Sequence, residues 1–154
     1  MTPENPFEVV LFLSYPQALE IVSRVLKEEG FGVVTHIDVS ATLKKKMNVD
    51  FRPYSILGAY NPPIVHRALQ HDPRIGLMLP CNISVESLGD RVVVRFADPL
   101  EIVSCNALED NIAREIAEEI QQVLLRVAQR LREGNYTPND PEKGWKRLHS
   151  ETLE

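Results

Sequence analysis

Two asparagine–proline breaks limit how this chain can fold. Gly58-Ala59-Tyr60-Asn61-Pro62-Pro63 ends one apolar run, and Leu79-Pro80-Cys81-Asn82 interrupts another. Proline has no backbone N–H to give a sheet ladder, so a strand through Pro80 must be an edge there or bulge. Asn61 before Pro62 has the form of a helix start, with asparagine as N-cap and proline at the first helical position. Strand ends and helix starts are where polar groups can be aimed away from a core. Any activity has its address at these two breaks.

The rest of the chain alternates short strands with capped helices. Residues 7–13, aromatic and β-branched, read as a buried strand that stops at Ser14. Ser14-Tyr15-Pro16-Gln17 is a capping box, and the helix it opens presents Ala18, Leu19, Val22, Val25 and Leu26 on one face before Gly30 ends it. Phe31 to Val39 is a second strand on which His36 and Asp38 share a face, and Asp38 or Ser40 then caps a short helix through Met47. After a loop at 48–53, Tyr54 to Tyr60 is a third strand, and the helix begun by Asn61 turns Val65, Ala68 and Leu69 inward until Asp72-Pro73 stops it. Ile75 to Leu88 is the longest strand-like run, broken at Pro80 and joined through Gly89-Asp90 to the hairpin partner at 91–96. Ala97-Asp98-Pro99 closes the hairpin. The spacing of Leu108, Ile112, Ile116, Ile120, Val123, Val127 and Leu131 predicts a long helix over 107–132, with acidic residues at its start and arginines at its end.

This order predicts an α+β fold, a mostly antiparallel sheet with helices packed on one face. A chain of 154 residues with 44% hydrophobic and 25% charged residues sits within the range of one soluble domain. That domain is expected over residues 1–134. Residues 135–154 form a polar tail, with Trp145 and Leu148 as the groups that would dock it. Val33-Val34 and Val92-Val93-Val94 are apolar at both parities, which predicts that both sheet faces are buried, the second by a homodimer partner.

A net charge of −5 argues against nucleic-acid binding, which needs a basic face, and Lys44-Lys45-Lys46 reads as a solvated helix surface. No stretch approaches the roughly 20 apolar residues of a membrane span. Two cysteines and no signal peptide point to a reducing cytoplasm.

With these stretches placed, GFGVVTHIDVSATLKKKM, YSILGAYNPPIVHRAL, DPRIGLMLPCNISV and FADP together resemble the bacterial and archaeal domain-of-unknown-function 302 family over roughly residues 7–132. The resemblance implies a β-α-β(4)-α fold of the TATA-binding-protein-like class, one copy per chain and homodimerisation, without a DNA-binding role. Family members are sometimes found beside sulfur-transfer and redox proteins. Many carry Gly-Ala-Cys-Asn-Pro at the first break, where this chain has Tyr60, so a mechanism with one thiol per motif does not carry over.

Cys81 is the sharpest candidate for chemistry, as a nucleophile, sulfur carrier or soft ligand. Against this stands the tendency of a free cysteine to pack as a small hydrophobe. Tyr60, Asn61, Asn82, His36, Asp38 and His66 complete the candidate set, with His66 on the helix opened at Asn61. Both asparagines also have a structural use as caps. His66 and His71 are five apart and do not share a helix face as a metal pair would, and Cys-x-x-Cys, His-Glu-x-x-His and a glycine-rich phosphate loop are all absent. The reading is a homodimeric binding protein with a pocket for a small molecule, a metal or haem near the two breaks. The alternative is a thiol-dependent redox or sulfur-transfer enzyme using Cys81.

Overall fold

The computed structural model describes residues 5–105 and 110–134; the tail at 135–154, with Trp145 and Leu148, lies outside the described residues. The fold is α+β. Its strands are β1 (Glu8–Leu11), β2 (Gly32–Asp38), β3 (Tyr54–Tyr60), β4 (Cys81–Ser87) and β5 (Val92–Phe96). They form one sheet in the order β1-β5-β4-β3-β2, and every neighbouring pair is antiparallel. The helices are α1 (Tyr15–Glu28), α2 (Val39–Met47), α3 (Pro62–His71), α4 (Pro99–Ser104) and α5 (Asn111–Glu133), with a 3₁₀ turn over Pro73–Met78.

Local rules account for the boundaries. Ser14 Oγ accepts from the Gln17 N–H while Gln17 Oε1 accepts from the Ser14 N–H, completing the capping box of α1. Gly30, at φ +86°, ends that helix in a conformation that costs other residues, and the Phe31 N–H closes back on Leu26. Asp38 is the cap of α2, accepting from the Ala41 N–H at 2.9 Å. Gly89, at φ +94°, makes the hairpin turn between β4 and β5, where the Leu88 N–H meets the Arg91 carbonyl.

The core lies between one sheet face and the helices. Val9, Leu11, Leu57, Ile83, Val85, Val92 and Val94 point into it from the strands; Ile21, Val25, Ile116, Leu124 and Val127 meet them from α1 and α5. The C-terminal end of α5 is tied down by charge. Arg130 pairs with Glu28, and Arg132 donates to the backbone carbonyls of Asn5, Pro6 and Glu8 at 2.9–3.1 Å.

Four expectations are corrected. Residues 75–79 are not strand: Asp72 caps the Arg74 N–H and Pro73 fixes the next φ, so local capping beats the alternation of Ile75, Leu77 and Leu79. β4 therefore starts at Cys81, and Pro80 precedes the ladder instead of breaking it. The buried face of α3 is Ile64 and Ala68, with Val65 partly buried and Leu69 exposed. The run after the hairpin forms α4, and α5 starts at Asn111 behind the Asp110 cap; 107–109 lie outside the described residues.

The two-faced burial is met only in part. Val92, Val93 and Val94 are all buried, but Val10 and Ile37 on the helix-free face are exposed. Val34 is exposed because a register shift between Val33 and Thr35 turns it out of the ladder.

Candidate functional site

The two breaks meet at one apolar cleft. Ala59 pairs with Cys81 across β3 and β4, so the end of one strand and the start of the next lie side by side. Tyr60 and Asn61 line the cleft from the first break, Leu79 and Cys81 from the second. The inward residues of α3, Ile64, Val65 and Ala68, form a second wall with Ile75 and Met78 of the 3₁₀ turn. Pro99, Ile102 and Val103 of α4 and Ala113, Ile116, Ala117 and Ile120 of α5 complete it. Counted out to its open mouth, the cleft holds about 660 Å³, of which about 50 Å³ admits the centre of a water molecule. One water needs roughly 10–15 Å³ by that measure, so the enclosed part takes several connected atoms.

Asn61 is engaged in architecture at both ends of its amide. Its Oδ1 accepts from the Ile64 N–H at 3.1 Å and its Nδ2 donates to the Gly30 carbonyl at 3.0 Å, joining the start of α3 to the end of α1. A side chain at Gly30 would meet that amide: a Cβ there would lie 2.9 Å from Asn61 Nδ2. Tyr60 is half-buried and pairs with Gly32 in the ladder; along β3 it has the parity of Gly58, opposite to that of Ala59, and its hydroxyl makes no hydrogen bond among the described residues.

Cys81 is a buried, free thiol, 8% exposed. Burial among apolar groups pushes its pKa up to about 11, because the thiolate loses water and gains no charge partner. At neutral pH the sulfur is a thiol. That removes the usual condition for a nucleophilic cysteine, a thiolate held by a cation or helix start.

The structure separates the candidates that share no strand end with this cleft. His66 is exposed on α3 and lines no part of it. Asn82 points to the other sheet face, and its carbonyl accepts from the Ala97 N–H. His36 and Asp38 do share a face, yet lie toward the far end of the sheet: Asp38 pairs with Ser55 and His36 with Leu57. Four residue steps along β3 separate Ser55 from Ala59, roughly 13 Å.

There His36 Nε2 lies 2.7 Å from Ser55 Oγ, and the same hydroxyl bonds to the Tyr15 phenol. A Tyr–Ser–His chain results, with Ser55 wholly buried. Burial raises the Tyr15 pKa, with the neighbouring Asp38 carboxylate adding to it and the Ser55 bond opposing it. Asp38 is held low by the Ala41 N–H, with Ser40 and His36 adding to it. Sequence reasoning missed Tyr15 and Ser55. A lone serine at an inward position of β3 was the available signal, since a buried hydroxyl needs a partner.

On the helix-free face, Glu86 is 5% exposed and accepts from Arg52 at 2.5 Å and Arg95 at 2.8 Å. Arg95 also reaches Glu8, forming a four-residue network. Among the described residues no group of three His, Cys, Asp or Glu side chains is placed to hold a metal ion. No described helix is long and apolar enough to cross a membrane.

No curated protein gives a significant match to the chain. The chain is similar to the crystal structure of an uncharacterized conserved protein DUF302 from Bacillus stearothermophilus, at 28% identity and a TM-score of 0.73. That likeness covers 82% of this chain and 98% of the other. The family model described as "Domain of unknown function DUF302" matches residues 7–131. The residues that form the sheet, the cleft and nearly all of α5 fall within that span, and the chain belongs to the DUF302 family.

Proposed function

We propose that this protein is a non-catalytic binding protein that takes a small, largely apolar molecule into the cleft between α3, α4 and α5. One observation carries this reading: the two strand breaks converge on a preformed concavity lined mostly by apolar side chains, Phe31 and the isoleucine, leucine, valine, methionine and alanine residues named above among them. Covering about 150 Å² of an aromatic ring at about 25 cal/mol per Å² gives roughly 4 kcal/mol, a Kd on the order of 1 mM for the smallest probe. Thiol-dependent redox or sulfur transfer at Cys81 is the weaker reading, because burial keeps the sulfur protonated and no charged residue lines the cleft. A metal or haem is disfavoured by the cleft lining, which includes the sulfurs of Met78 and Cys81 but no histidine and no carboxylate.

The protein acts as a homodimer in this reading. Val10 and Ile37 stand exposed on the helix-free face and Phe12 just beyond β1, which supports a second copy as their cover. The free thiols of Cys81 and Cys105 fit a cytoplasmic setting.

Titration with toluene, followed by amide NMR, tests the cleft. Shifts centred on Ile64, Ala68, Ala113 and Ile116 are expected, and an Ala117→Phe variant that fills the space should lose them. An absence of shifts in the wild-type protein at millimolar toluene contradicts the reading.

A further inference from the structure

We propose that the helix-free sheet face is a self-complementary interface, and that the charge row Glu8–Arg95–Glu86–Arg52 sets how a second copy of this chain docks on it. This rests on the homodimer reading above and specifies its register. Strand order places the four charges one after another across the sheet: Glu8 on β1, Arg95 on β5, Glu86 on β4 and Arg52 on the segment leading into β3. Neighbours in the row touch. Arg95 lies 3.2 Å from Glu8 and 2.8 Å from Glu86, and Arg52 lies 2.5 Å from Glu86. The signs alternate along it: minus, plus, minus, plus.

Parity puts the row on that face. Val9, Val85 and Val94 point into the core, so Glu8, Glu86 and Arg95, each one residue along, leave on the other side. No other position of the five strands on that side carries a charge. The side chains of Glu8, Arg95 and Arg52 are 40%, 43% and 48% exposed, so the row is open to contact, while the buried Glu86 accepts from both arginines. Arg52 is steadied from its own segment, with its guanidinium carbon 4.3 Å from the centre of the Phe51 ring.

Two carboxylates and two guanidiniums sum to zero, so the row favours neither a polyanion nor a polycation. It fits a partner that presents the same row reversed. A two-fold axis lying in the interface and crossing the row between Arg95 and Glu86 does this. Glu8 then faces the partner's Arg52, and Arg95 faces the partner's Glu86. Every charge meets its opposite and none meets its like. Val10 on one edge strand and Ile37 on the other are exposed on the same face and supply apolar area to either side. The charges then fix orientation, which is what complementary charges at an interface do best.

Charge reversal at the two ends of the row tests it, using the full chain and light scattering across micromolar concentrations. Glu8→Arg sets an arginine against the partner's Arg52, and Arg52→Glu sets a glutamate against the partner's Glu8, twice in each symmetric dimer. Each single variant is expected to raise the dimer dissociation constant at least about tenfold, since like charges facing across an interface are costly. An equimolar mixture of the two should regain the dimer, because every facing pair is again opposite in sign. The double variant Glu8→Arg/Arg52→Glu should regain it for the same reason. Single variants that dimerise as tightly as wild type overturn the row and leave the homodimer standing. Glu8→Arg, at an exposed end, decides this alone if Arg52→Glu does not fold. A mixture of folded single variants that stays monomeric also overturns the row. A wild-type chain that is itself a monomer overturns the homodimer reading and this inference with it.

Discussion

A methyl group at Gly58 has no room. Its Cβ would press on Thr35 Oγ1 and lie 2.6 Å from the Pro80 ring. Gly58→Ala is therefore expected to destabilise the fold by about 1–3 kcal/mol, the usual cost of overpacking, measured by urea unfolding. Gly32→Ala is the control, since nothing lies within 4 Å of a Cβ there, and its midpoint should hardly move. The contact explains why glycine begins the first break, which the strand pattern could not show: the pressure comes from Thr35 of β2 and from Pro80 of the second break, twenty-two residues on. Cys81 was legible as the residue to question, but its state was not. Its pKa depends on neighbours from α3 and α5 that only the fold assembles. At pH 7.5 native Cys105 should react with iodoacetamide much faster than Cys81, and in denaturant the two should label alike. Rapid native labelling of Cys81 would revive the thiol-enzyme reading.

At the scale of elements, caps were legible because they are local. Ser14, Asp38 and Asn61 all act as their sequence context predicts, whereas the strand expected at 75–79 yielded to the cap at Asp72. Asn61→Ala removes both the cap and the tie to Gly30, and about 1–2 kcal/mol of stability should go with it. Pairings between strands were less legible. The Tyr15–Ser55–His36 chain joins three elements, and Glu86 gathers Arg52 from the loop before β3 and Arg95 from β5.

The Arg95 hydrogen bond, helped by Arg52, holds the Glu86 carboxyl below its ordinary value of 4.5. Its folded pKa being lowered, its stabilisation is complete above the unfolded value and fades as pH falls through the folded one. Stability should hold level from pH 8 to pH 6 and decline below pH ~4.5. Glu86→Gln should shallow that decline, a comparison made by urea midpoints at each pH. Midpoints with the same acid slope in both proteins would remove Glu86 from the account.

At the scale of the molecule, the element order was enough to place helices on one face of an antiparallel sheet. It was not enough to say how the other face is satisfied. Part of that face is covered internally, since Val93 is buried beside the charged network around Glu86. Val10 and Ile37 are not covered. Light scattering at micromolar concentration is expected to give twice the 17.5 kDa chain mass, and a 17.5 kDa species would reject the homodimer. The cleft is a property of the whole, made by five separate segments and visible in none of them alone. An apolar space stands ready at the two breaks. A crystal pressurised with xenon tests this most directly, since xenon enters dry apolar cavities without specific contacts. Xenon density among Ile64, Ile75, Cys81 and Ile116 is the expected result. Density confined to the helix-free sheet face, or none at all, contradicts it.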